Sequence, residues 1–455
     1  MNDDRTIFAP ASAIGKAGIA VFRISGQGAV QVFSRVCEPA ATPEARVASL
    51  RTLKNPKTGE EIDKAVVLFF PAPNSFTGED VVELHTHGGR AVASAVVEAL
   101  SMLPRFRLAE AGEFTRRAFE NGKMDLTEAE AIADLVHAET EAQRKQALRQ
   151  LDGALGKLYE NWHERLQHSL AWTEAAIDFS DDELPDDLLV KQRRALQDLR
   201  DEIARHLDDN HRGERLREGF SIVLIGPPNA GKSSLLNMLA RRDAAIVSPT
   251  AGTTRDVIEV HLDLNGYPVI LADTAGLHDL SSGLTPLVSL KGDPVEIEGI
   301  RRARARAKDA DLKIAVFDGD LWPETDAVTQ DLIDSSTIVV VNKSDLIGAK
   351  REKGNLFPLF ISALTGEGID TLLQKLGQEI ERRFADSGAP PLTRARHRAA
   401  LEECKVHLER ALQAKQVDLC AEDVRLAMRS LGRITGHVDV EDLLDIIFRD
   451  FCIGK

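Results

Sequence analysis

The sequence predicts a multidomain protein of α+β and α/β class, in which a helical domain is interrupted by an inserted α/β domain. Three observations predict this fold: the length of the chain, a change from short β-type runs to helical periodicity near residue 122, and a later alternation of apolar strands with helices. At 455 residues the chain exceeds what one hydrophobic core usually serves, so about three domains are expected. We place the domain limits at residues 1–121, 122–218, 219–384 and 385–455, with the second and fourth ranges forming one helical domain.

The N-terminal part is predicted to be a small α+β domain. Short apolar runs at residues 18–26, 65–70 and 81–86 are bounded by Gly, Pro or Asn, as strands between turns usually are.

The helical domain begins where the spacing of apolar residues changes. Thr127 is followed three residues later by Glu130, which is the pattern of a capping box. Apolar residues then recur at intervals of three and four, at Leu148, Leu151, Leu155, Leu158 and Trp162. The pattern runs to about Leu216 with a break at residues 181–185, and it resumes after residue 385. An insertion is tolerated there because the ends of a compact domain usually lie close together.

The inserted domain is predicted from strands that alternate with helices. The apolar runs are residues 221–225, 269–272, 312–317, 337–341 and 359–361. Such an alternation is typical of a mostly parallel sheet with helices on both faces.

The composition argues against a disordered or fibrous protein. A hydrophobic fraction of 43% and a charged fraction of 28% are those of an ordinary globular chain. The net charge of −15 argues against tight, sequence-blind nucleic-acid binding by the whole chain. Residues 301–308 are the densest basic stretch, although such a run is more often a solvated helix face.

Cysteine usage and the N-terminus predict the compartment. The four cysteines, Cys37, Cys404, Cys420 and Cys452, form no CxxC pair, which favours a reducing environment. The N-terminus lacks a basic region followed by an apolar core, and no apolar run approaches the ~18–20 residues of a membrane helix. We therefore expect a cytoplasmic protein with no membrane partner.

Residues 226–233 (GPPNAGKS) match the phosphate-loop pattern G-x-x-x-x-G-K-[ST] between a strand and a helix. Glycines let the backbone N–H groups turn toward phosphates, and the helix N-terminus adds partial positive charge. Lys232 is expected to reach the β- and γ-phosphates and Ser233 to hold Mg²⁺. The alternative is an ordinary Gly-rich turn between a strand and a helix.

Three further motifs follow at predicted strand ends: DTAG at residues 273–276, NKSD at 342–345 and SAL at 362–364. Asp345 can accept both guanine N1–H and N2–H₂, a pair of donors that adenine lacks, so GTP is predicted rather than ATP. The residues predicted from these motifs to form the GTP site are Asn229, Ala230, Gly231, Lys232, Ser233, Ser234, Asp273, Thr274, Ala275, Gly276, Asn342, Lys343, Asp345, Ser362, Ala363 and Leu364.

The residue that orients the attacking water is not evident from these motifs. Ras-like GTPases use a Gln shortly after the DxxG glycine, whereas this chain has Leu277 and His278 there. Leu277 has no hydrogen-bonding group, and a loop histidine such as His278 is more often incidental. The catalytic groups are therefore expected from a partner, another copy of the chain or a metal ion.

These motifs, with others in every domain, resemble the tRNA modification GTPases of the MnmE (TrmE/ThdF) type from end to end. The resemblance extends over residues 75–80 (SFTGED), 111–119 (AGEFTRRAF), 124–135, 244–256 and the C-terminal FCIGK. It implies a folate-binding-like N-terminal domain and a helical domain interrupted by a Ras-like P-loop G domain.

The resemblance also implies a K⁺-dependent GTPase whose G domains dimerise across their nucleotide faces. By matching position, Asn229 would ligate K⁺ together with the loop of Ser248, Thr250 and Thr253, which also borders GTP. Thr254 would join Ser233 on Mg²⁺. Glu296 would orient the water, with Lys232 as the other catalytic residue. Residues 280–292 make the segment between Asp273 and Glu296 longer than expected for the family, and the alternative for Glu296 is a solvated residue at a helix start.

For the N-terminal domain the resemblance implies dimerisation and a site for 5-formyl- or 5,10-methylene-tetrahydrofolate. The matching residues are Arg23, Glu83, Lys123 and Lys455. The alternative for Arg23 and Glu83 is a structural ion pair. Cys452, expected near this site, is a possible thiol nucleophile.

The function that the resemblance implies is modification of the wobble uridine of certain tRNAs at position 5, of carboxymethylaminomethyl or aminomethyl type. A homodimer would act with an FAD-dependent MnmG (GidA)-type partner in a heterotetramer or larger complex. The rival hypothesis is a ribosome-assembly or regulatory GTPase that binds structured RNA, which typically needs a basic KH-like module not visible here. A folate-dependent one-carbon enzyme that acts without a partner is a third hypothesis.

Overall fold

The computed structural model describes residues 5–178, 188–242, 244–246, 259–273, 305–347, 358–384, 390–438, 441–449 and 451–454. The chain divides into two compact units. The first unit comprises Met1–Val136, Arg149–Leu199 and Glu403–Lys455, and the second comprises His137–Leu148 and Arg200–Glu402. The domain limits given above stay a prediction.

The N-terminal part is a seven-stranded sheet with three helices, which confirms the predicted α+β domain. The strands are β1 (Thr6–Pro10), β2 (Ala20–Ser25), β3 (Cys37–Glu38), β4 (Ser49–Lys54), β5 (Glu61–Phe70), β6 (Val81–Thr86) and β7 (Phe106–Leu108). They lie in the order β3-β4-β5-β6-β2-β1-β7, and all pairs are antiparallel except β1 with β7. The helices are α1 (Gln31–Arg35), α2 (Arg90–Ser101) and α3 (Glu113–Glu120).

Both faces of this sheet are covered by apolar residues. Because successive side chains of a strand point to opposite faces, Phe8 of β1 joins one cluster while its neighbours Ile7 and Ala9 join another with Phe114 of α3. Phe22 and Ile24 of β2 belong to the Phe8 cluster. The alternation therefore assigns the intervening Arg23 to the face covered by α3.

Helices follow the N-terminal sheet: α4 (Leu126–His137), α5 (Glu141–Leu151), α6 (Ala154–Asp178), α7 (Leu188–Leu207) and α8 (Arg212–Glu218). The predicted capping box of Thr127 and Glu130 is wrong. Asp125 Oδ1 accepts from the Glu128 N–H at 2.8 Å, and Glu128 Oε2 accepts from the Asp125 N–H at 2.8 Å. This reciprocal pair is the capping box, and Thr127 instead donates its hydroxyl to Asp125 Oδ1 at 2.7 Å.

The inserted domain is a six-stranded sheet with helices, as predicted. Its elements are β8 (Phe220–Ile225), α9 (Lys232–Ala240), β9 (Glu259–Leu264), β10 (Tyr267–Asp273), β11 (Leu312–Asp318), α10 (Ala327–Gln330), β12 (Thr337–Asn342), α11 (Ser344–Ile347), β13 (Leu359–Phe360) and α12 (Ile369–Arg383). The order is β13-β12-β11-β8-β10-β9, and only β9, which the sequence analysis missed, runs antiparallel.

Apolar clusters cover both faces of this sheet. Ile222 and Leu224 of β8 belong to one cluster, and Val223 and Ile225 belong to the other. This explains why β8 is an unbroken apolar run rather than an alternating one. Because β8, β10, β11 and β12 are parallel, their carboxyl ends lie at one edge of the sheet, where ligands bind in open α/β folds.

The C-terminal helices are α13 (Ala395–Gln413), α14 (Val417–Thr435) and α15 (Glu441–Arg449). Helix α14 packs along α6, while Leu444 and Phe448 of α15 pack on Leu126 and Ala129 of α4. Among the helices that the structure describes, none has both the length and the hydropathy to cross a bilayer.

Gly112, just before α3, provides a test of how α15 docks. Its φ is 68°, and a Cβ there would lie 2.6 Å from the Phe448 carbonyl oxygen, whereas Gly122 has φ 65° and no atom within 4 Å of a Cβ. We expect Gly112→Ala and Gly122→Ala each to lose about 1 kcal/mol to the left-handed conformation. Gly112→Ala should lose roughly 1–3 kcal/mol more through the clash. Equal urea-unfolding midpoints for the two variants would contradict this packing.

Candidate functional site

The loop between β8 and α9 is shaped by two glycines with positive φ. Gly226 has φ 147° and Gly231 has φ 91°. A Cβ on Gly226 would lie 2.2 Å from the Val316 carbonyl oxygen, and one on Gly231 would lie 2.2 Å from Asn342 Nδ2. Both positions therefore require glycine, and the loop passes directly into the N-terminus of α9, where an anion is favoured.

Lys232, the first residue of α9, is a buried cation held by carbonyl groups. Its side chain is 5% exposed, and Nζ donates to the carbonyl oxygens of Gly226 and Pro227, both at 2.9 Å. Burial lowers the pKa of Lys232, while the carboxylates of Asp273 and Asp326 act in the opposite direction. A desolvated ammonium gains from a full negative charge, which favours a phosphate oxygen here.

Ser233 and Asp273 lie together beside this lysine. Ser233 Oγ donates to Asp273 Oδ2 at 2.7 Å, and Asp273 is 2% exposed at the end of β10. A hydroxyl and a carboxylate are oxygen ligands that suit Mg²⁺. The pair fits a metal site. Of the two residues predicted to hold Mg²⁺, Ser233 is described here and Thr254 lies outside the described residues.

Asn342, at the end of β12, joins two loops. Its Nδ2 donates to the Ala230 carbonyl oxygen at 2.9 Å, and its Oδ1 accepts from the Ala363 N–H at 2.9 Å. Asn342 is 2% exposed, and its bond to Ala230 is buried. The phosphate loop and the 362–364 loop are therefore fixed relative to each other.

Asp345 is held at the other end of the NKSD motif. Ser362, which is fully buried, donates its hydroxyl to Asp345 Oδ1 at 2.5 Å. The next residue, Ala363, donates its N–H to Asn342, whereas Leu364 is 81% exposed. The arrangement brings the predicted base-binding residues into one place.

Two carboxylates of this region were missed by the sequence analysis. Asp318 accepts from Lys343 Nζ at 2.6 Å. Asp326 caps α10 by accepting from the Thr329 N–H at 2.8 Å and contributes to the electrostatics of Lys232. Asp318 could have been identified from the sequence, because it directly follows a predicted strand, as Asp273 and Asn342 do.

Several predicted residues fall outside the described residues, and their assignments stay predictions. They are Ser248, Thr250, Thr253, Thr254, Thr274, Ala275, Gly276, Leu277, His278, Glu296 and Lys455, together with the segment at residues 280–292. Of the predicted K⁺ ligands only Asn229 is described, with φ 66°. Ser234 is exposed on α9.

Arg23 and Glu83 form an ion pair in the N-terminal sheet. They are directly opposite in the pairing of β2 with β6. Glu83 Oε1 accepts from Arg23 Nε at 3.1 Å and from Nη2 at 3.0 Å, with 20% and 16% of the two side chains exposed. The guanidinium also lies 5.3 Å from the ring centroid of Phe76 and 5.9 Å from that of Phe114, a favourable cation–π arrangement.

The loop at residues 75–80 lies next to both this ion pair and Lys123. Phe76 contacts Arg23, and a Cβ on Gly78 would lie 3.1 Å from Lys123 Cε. Glu79 of the same loop accepts from Arg117 Nη1 at 3.1 Å and from Ser25 Oγ at 2.7 Å, which anchors the loop. Lys123 itself is exposed. The structure thus joins Arg23 and Glu83 directly and places Lys123 on a neighbouring turn.

The C-terminal tail lies along the same domain. Ile453 forms an antiparallel bridge with Ala111. Gly454 has φ 99°, and a Cβ there would lie 2.2 Å from the Pro10 carbonyl oxygen. Pro10 follows Ala9, the β1 partner of Arg23. The exposed Cys452 is therefore held close to the end of the strand that pairs with Arg23.

Comparisons with known proteins cover the whole chain. The family model described as GTP-binding protein TrmE N-terminus matches residues 6–123, and the MnmE helical domain model matches residues 126–452. The tRNA modification GTPase MnmE of Paramagnetospirillum magneticum is 54% identical over 452 residues, with 99% of each chain covered. Human 5-taurinomethyluridine-[tRNA] synthase subunit GTPB3, mitochondrial, is 48% identical over 469 residues, with 99% of this chain and 93% of the relative covered. A crystal structure of an Aquifex aeolicus Era variant bound to GDP and AlF4⁻ matches with a TM-score of 0.27 and 24% identity, over 43% of this chain and 68% of that chain.

Proposed function

The chain belongs to the MnmE family of tRNA modification GTPases, and we propose that it binds and hydrolyses GTP in the course of modifying tRNA. The observation that carries the proposal is the pair of hydrogen bonds of Asn342, to Ala230 in the phosphate loop and from Ala363 in the 362–364 loop. They hold a phosphate-binding loop and a base-binding loop at a fixed separation, which suits a ligand that carries both phosphates and a base.

Each half of GTP would meet groups of matching chemistry. Lys232 Nζ would exchange its two carbonyl acceptors for β- and γ-phosphate oxygens, which are stronger, charged partners. Ser233 and Thr254 would hold Mg²⁺ near Asp273, and a bound Mg²⁺ neutralises phosphate charge. Asp345 would accept from guanine N1–H and N2–H₂, and adenine nucleotides, which lack this pair of donors, would be rejected.

Hydrolysis requires an oriented water and stabilised charge. Water attacks the γ-phosphorus in line with the bond to the leaving β-phosphate oxygen, and negative charge builds up on that oxygen. Lys232 would stabilise this charge, and Glu296 would orient the water in place of the Gln that Ras-like enzymes use. Asn229, with Ser248, Thr250 and Thr253, would hold K⁺, which when bound supplies the positive charge that an arginine finger supplies elsewhere.

The N-terminal domain would supply the one-carbon unit. Arg23, Glu83, Lys123 and Lys455 are proposed to bind 5-formyl- or 5,10-methylene-tetrahydrofolate. The ion pair held over two aromatic rings supports this, because it offers a fixed donor and acceptor beside apolar surface. Cys452 is a candidate thiol at this site, by its place in the tail beside β1.

The whole reaction would involve other molecules. A homodimer in the cytoplasm would act with an FAD-dependent MnmG (GidA)-type partner to modify position 5 of the wobble uridine in certain tRNAs. The human relative's name, a 5-taurinomethyluridine-[tRNA] synthase subunit, supports a uridine base as the target. The product here would be of the carboxymethylaminomethyl or aminomethyl type.

The rival is a ribosome-assembly or regulatory GTPase that binds structured RNA through a separate basic module. Relatives that are 52–54% identical over 99% of this chain are named as tRNA modification GTPases. The modification function is therefore favoured.

We expect GTP hydrolysis to be faster in K⁺ than in Na⁺ at equal ionic strength, and Glu296→Ala to lower the K⁺ rate by about 100-fold or more, because a positioned catalytic carboxylate contributes at least that much. Glu259→Ala, which removes an exposed carboxylate on β9, is the matched control and should hydrolyse GTP at the wild-type rate. Phosphate release by the purified chain measures the hydrolysis rates of wild type, Glu296→Ala and Glu259→Ala. Equal wild-type rates in the two salts would contradict the K⁺ proposal, and an unchanged Glu296→Ala rate would make Glu296 a helix-start residue only.

For the N-terminal site, we expect Arg23→Gln to weaken 5-formyl-tetrahydrofolate binding about tenfold or more, since it leaves Glu83 without its charged partner in the site. Isothermal titration calorimetry measures the affinity. Arg107→Gln is the control, because Arg107 pairs with Glu113 in the same domain at 2.5 Å and lies outside the proposed site. If both variants bind the folate like wild type and only lose thermal stability, the Arg23–Glu83 pair is structural.

A further inference from the structure

Asp318 lies at the carboxyl end of β11, beside the NKSD motif. It is paired in register with Asn342 of β12, and the N–H of the next residue, Gly319, donates to the Asn342 carbonyl oxygen at 2.9 Å. A Cβ on Gly319 would lie 2.7 Å from that carbonyl oxygen and 2.4 Å from Ile347 Cδ1. The close approach of the two strand ends therefore depends on glycine at this position.

Both oxygens of the Asp318 carboxylate are bonded. Oδ2 accepts from Lys343 Nζ at 2.6 Å, and Oδ1 accepts from the Asp320 N–H at 3.1 Å. The Asp318 side chain is 14% exposed and that of Lys343 is 32% exposed. The pair is thus largely shielded from water and fixed at both ends, unlike a surface ion pair that exchanges freely with solvent.

The backbone of Lys343 is in an unusual conformation. Its φ is 60°, in the left-handed region that side chains other than Gly and Asn rarely adopt. Such a conformation persists where the surroundings enforce it, and it occurs often at functional sites. Hydrogen bonds on both sides hold Lys343 in this conformation. Asn342 is bonded to Ala230 and Ala363, and Asp345 is bonded to Ser362.

We propose that Asp318 is a positioning residue for recognition of the guanine base, and that it acts through Lys343. The inference rests on the proposed GTP site. Lys343 lies between Asn342 and Asp345, so its aliphatic stem borders the place of the base, and a lysine stem packs well on an apolar face when its ammonium has a polar partner. Asp318 provides that partner. Without it the stem would have to be ordered at the moment of binding, which lowers affinity.

The test is a double-mutant cycle on GDP affinity. The dissociation constant of a fluorescent N-methylanthraniloyl-GDP with Mg²⁺ is measured for wild type, Asp318→Asn, Lys343→Ala and the double variant. We expect Asp318→Asn to weaken binding about tenfold, a coupling typical of residues in one bonded network. The double variant should bind no more weakly than Lys343→Ala alone, because Asp318 acts only through that lysine. Asp320→Asn, which removes a neighbouring carboxylate but leaves the pair with Lys343, is the control and should bind like wild type.

Two results would overturn the proposal. The first is wild-type affinity in Asp318→Asn, and the second is full additivity in the double variant, which would mean that Asp318 affects the site by another route. If Asp318→Asn does not fold, Lys343→Met replaces it: a tenfold loss supports the positioning role, and unchanged affinity overturns it. Failure of the wild-type chain to bind GDP would instead overturn the GTP site itself, so the two failures are distinguishable.

Discussion

Parallel pairing of β8, β10, β11 and β12 brings four strand ends to one edge of the inserted sheet, and the nucleotide site depends on that constraint. Asp273, Asp318 and Asn342 are the last residues of three of these strands, while the phosphate loop begins where β8 ends. Asn342 then connects this loop to the 362–364 loop through two side-chain hydrogen bonds. The apolar faces of the sheet fix the strands, and the strands fix the positions of the polar groups.

Three cations of the predicted sites are held by partners that need no ligand. Carbonyl oxygens hold Lys232, Asp318 holds Lys343, and Glu83 with two aromatic rings holds Arg23. An unpaired charge in such places would cost several kcal/mol. Binding would therefore use side chains that are already ordered, and at Lys232 it would exchange carbonyl oxygens for phosphate oxygens, which conserves binding energy.

The parts of the fold that sequence could predict are those with local signals. Buried parallel strands are unbroken apolar runs, and the phosphate loop needs glycine at Gly226 and Gly231, where a Cβ would clash. Strand β9 was missed because polar residues such as His261 and Asp263 interrupt its apolar pattern at the sheet edge. The capping box was misplaced because Asp125 with Glu128 and Thr127 with Glu130 fit the same spacing, and only geometry separates them. The partner of Lys343 could not be predicted, since Asp318 is 25 residues away in sequence.

We propose that the edge formed by these strand ends recognises guanine through Asp345. The most direct measurement compares the affinities of Asp345→Asn for GDP and xanthosine diphosphate with those of wild type. Xanthine has a C2 carbonyl in place of the guanine amino group, so an amide donor at residue 345 should reverse the preference. We expect Asp345→Asn to weaken GDP binding by about 100-fold or more, because the amide cannot accept both guanine N1–H and N2–H₂, and to gain xanthosine diphosphate binding. An unchanged preference for GDP in that variant would contradict the claim.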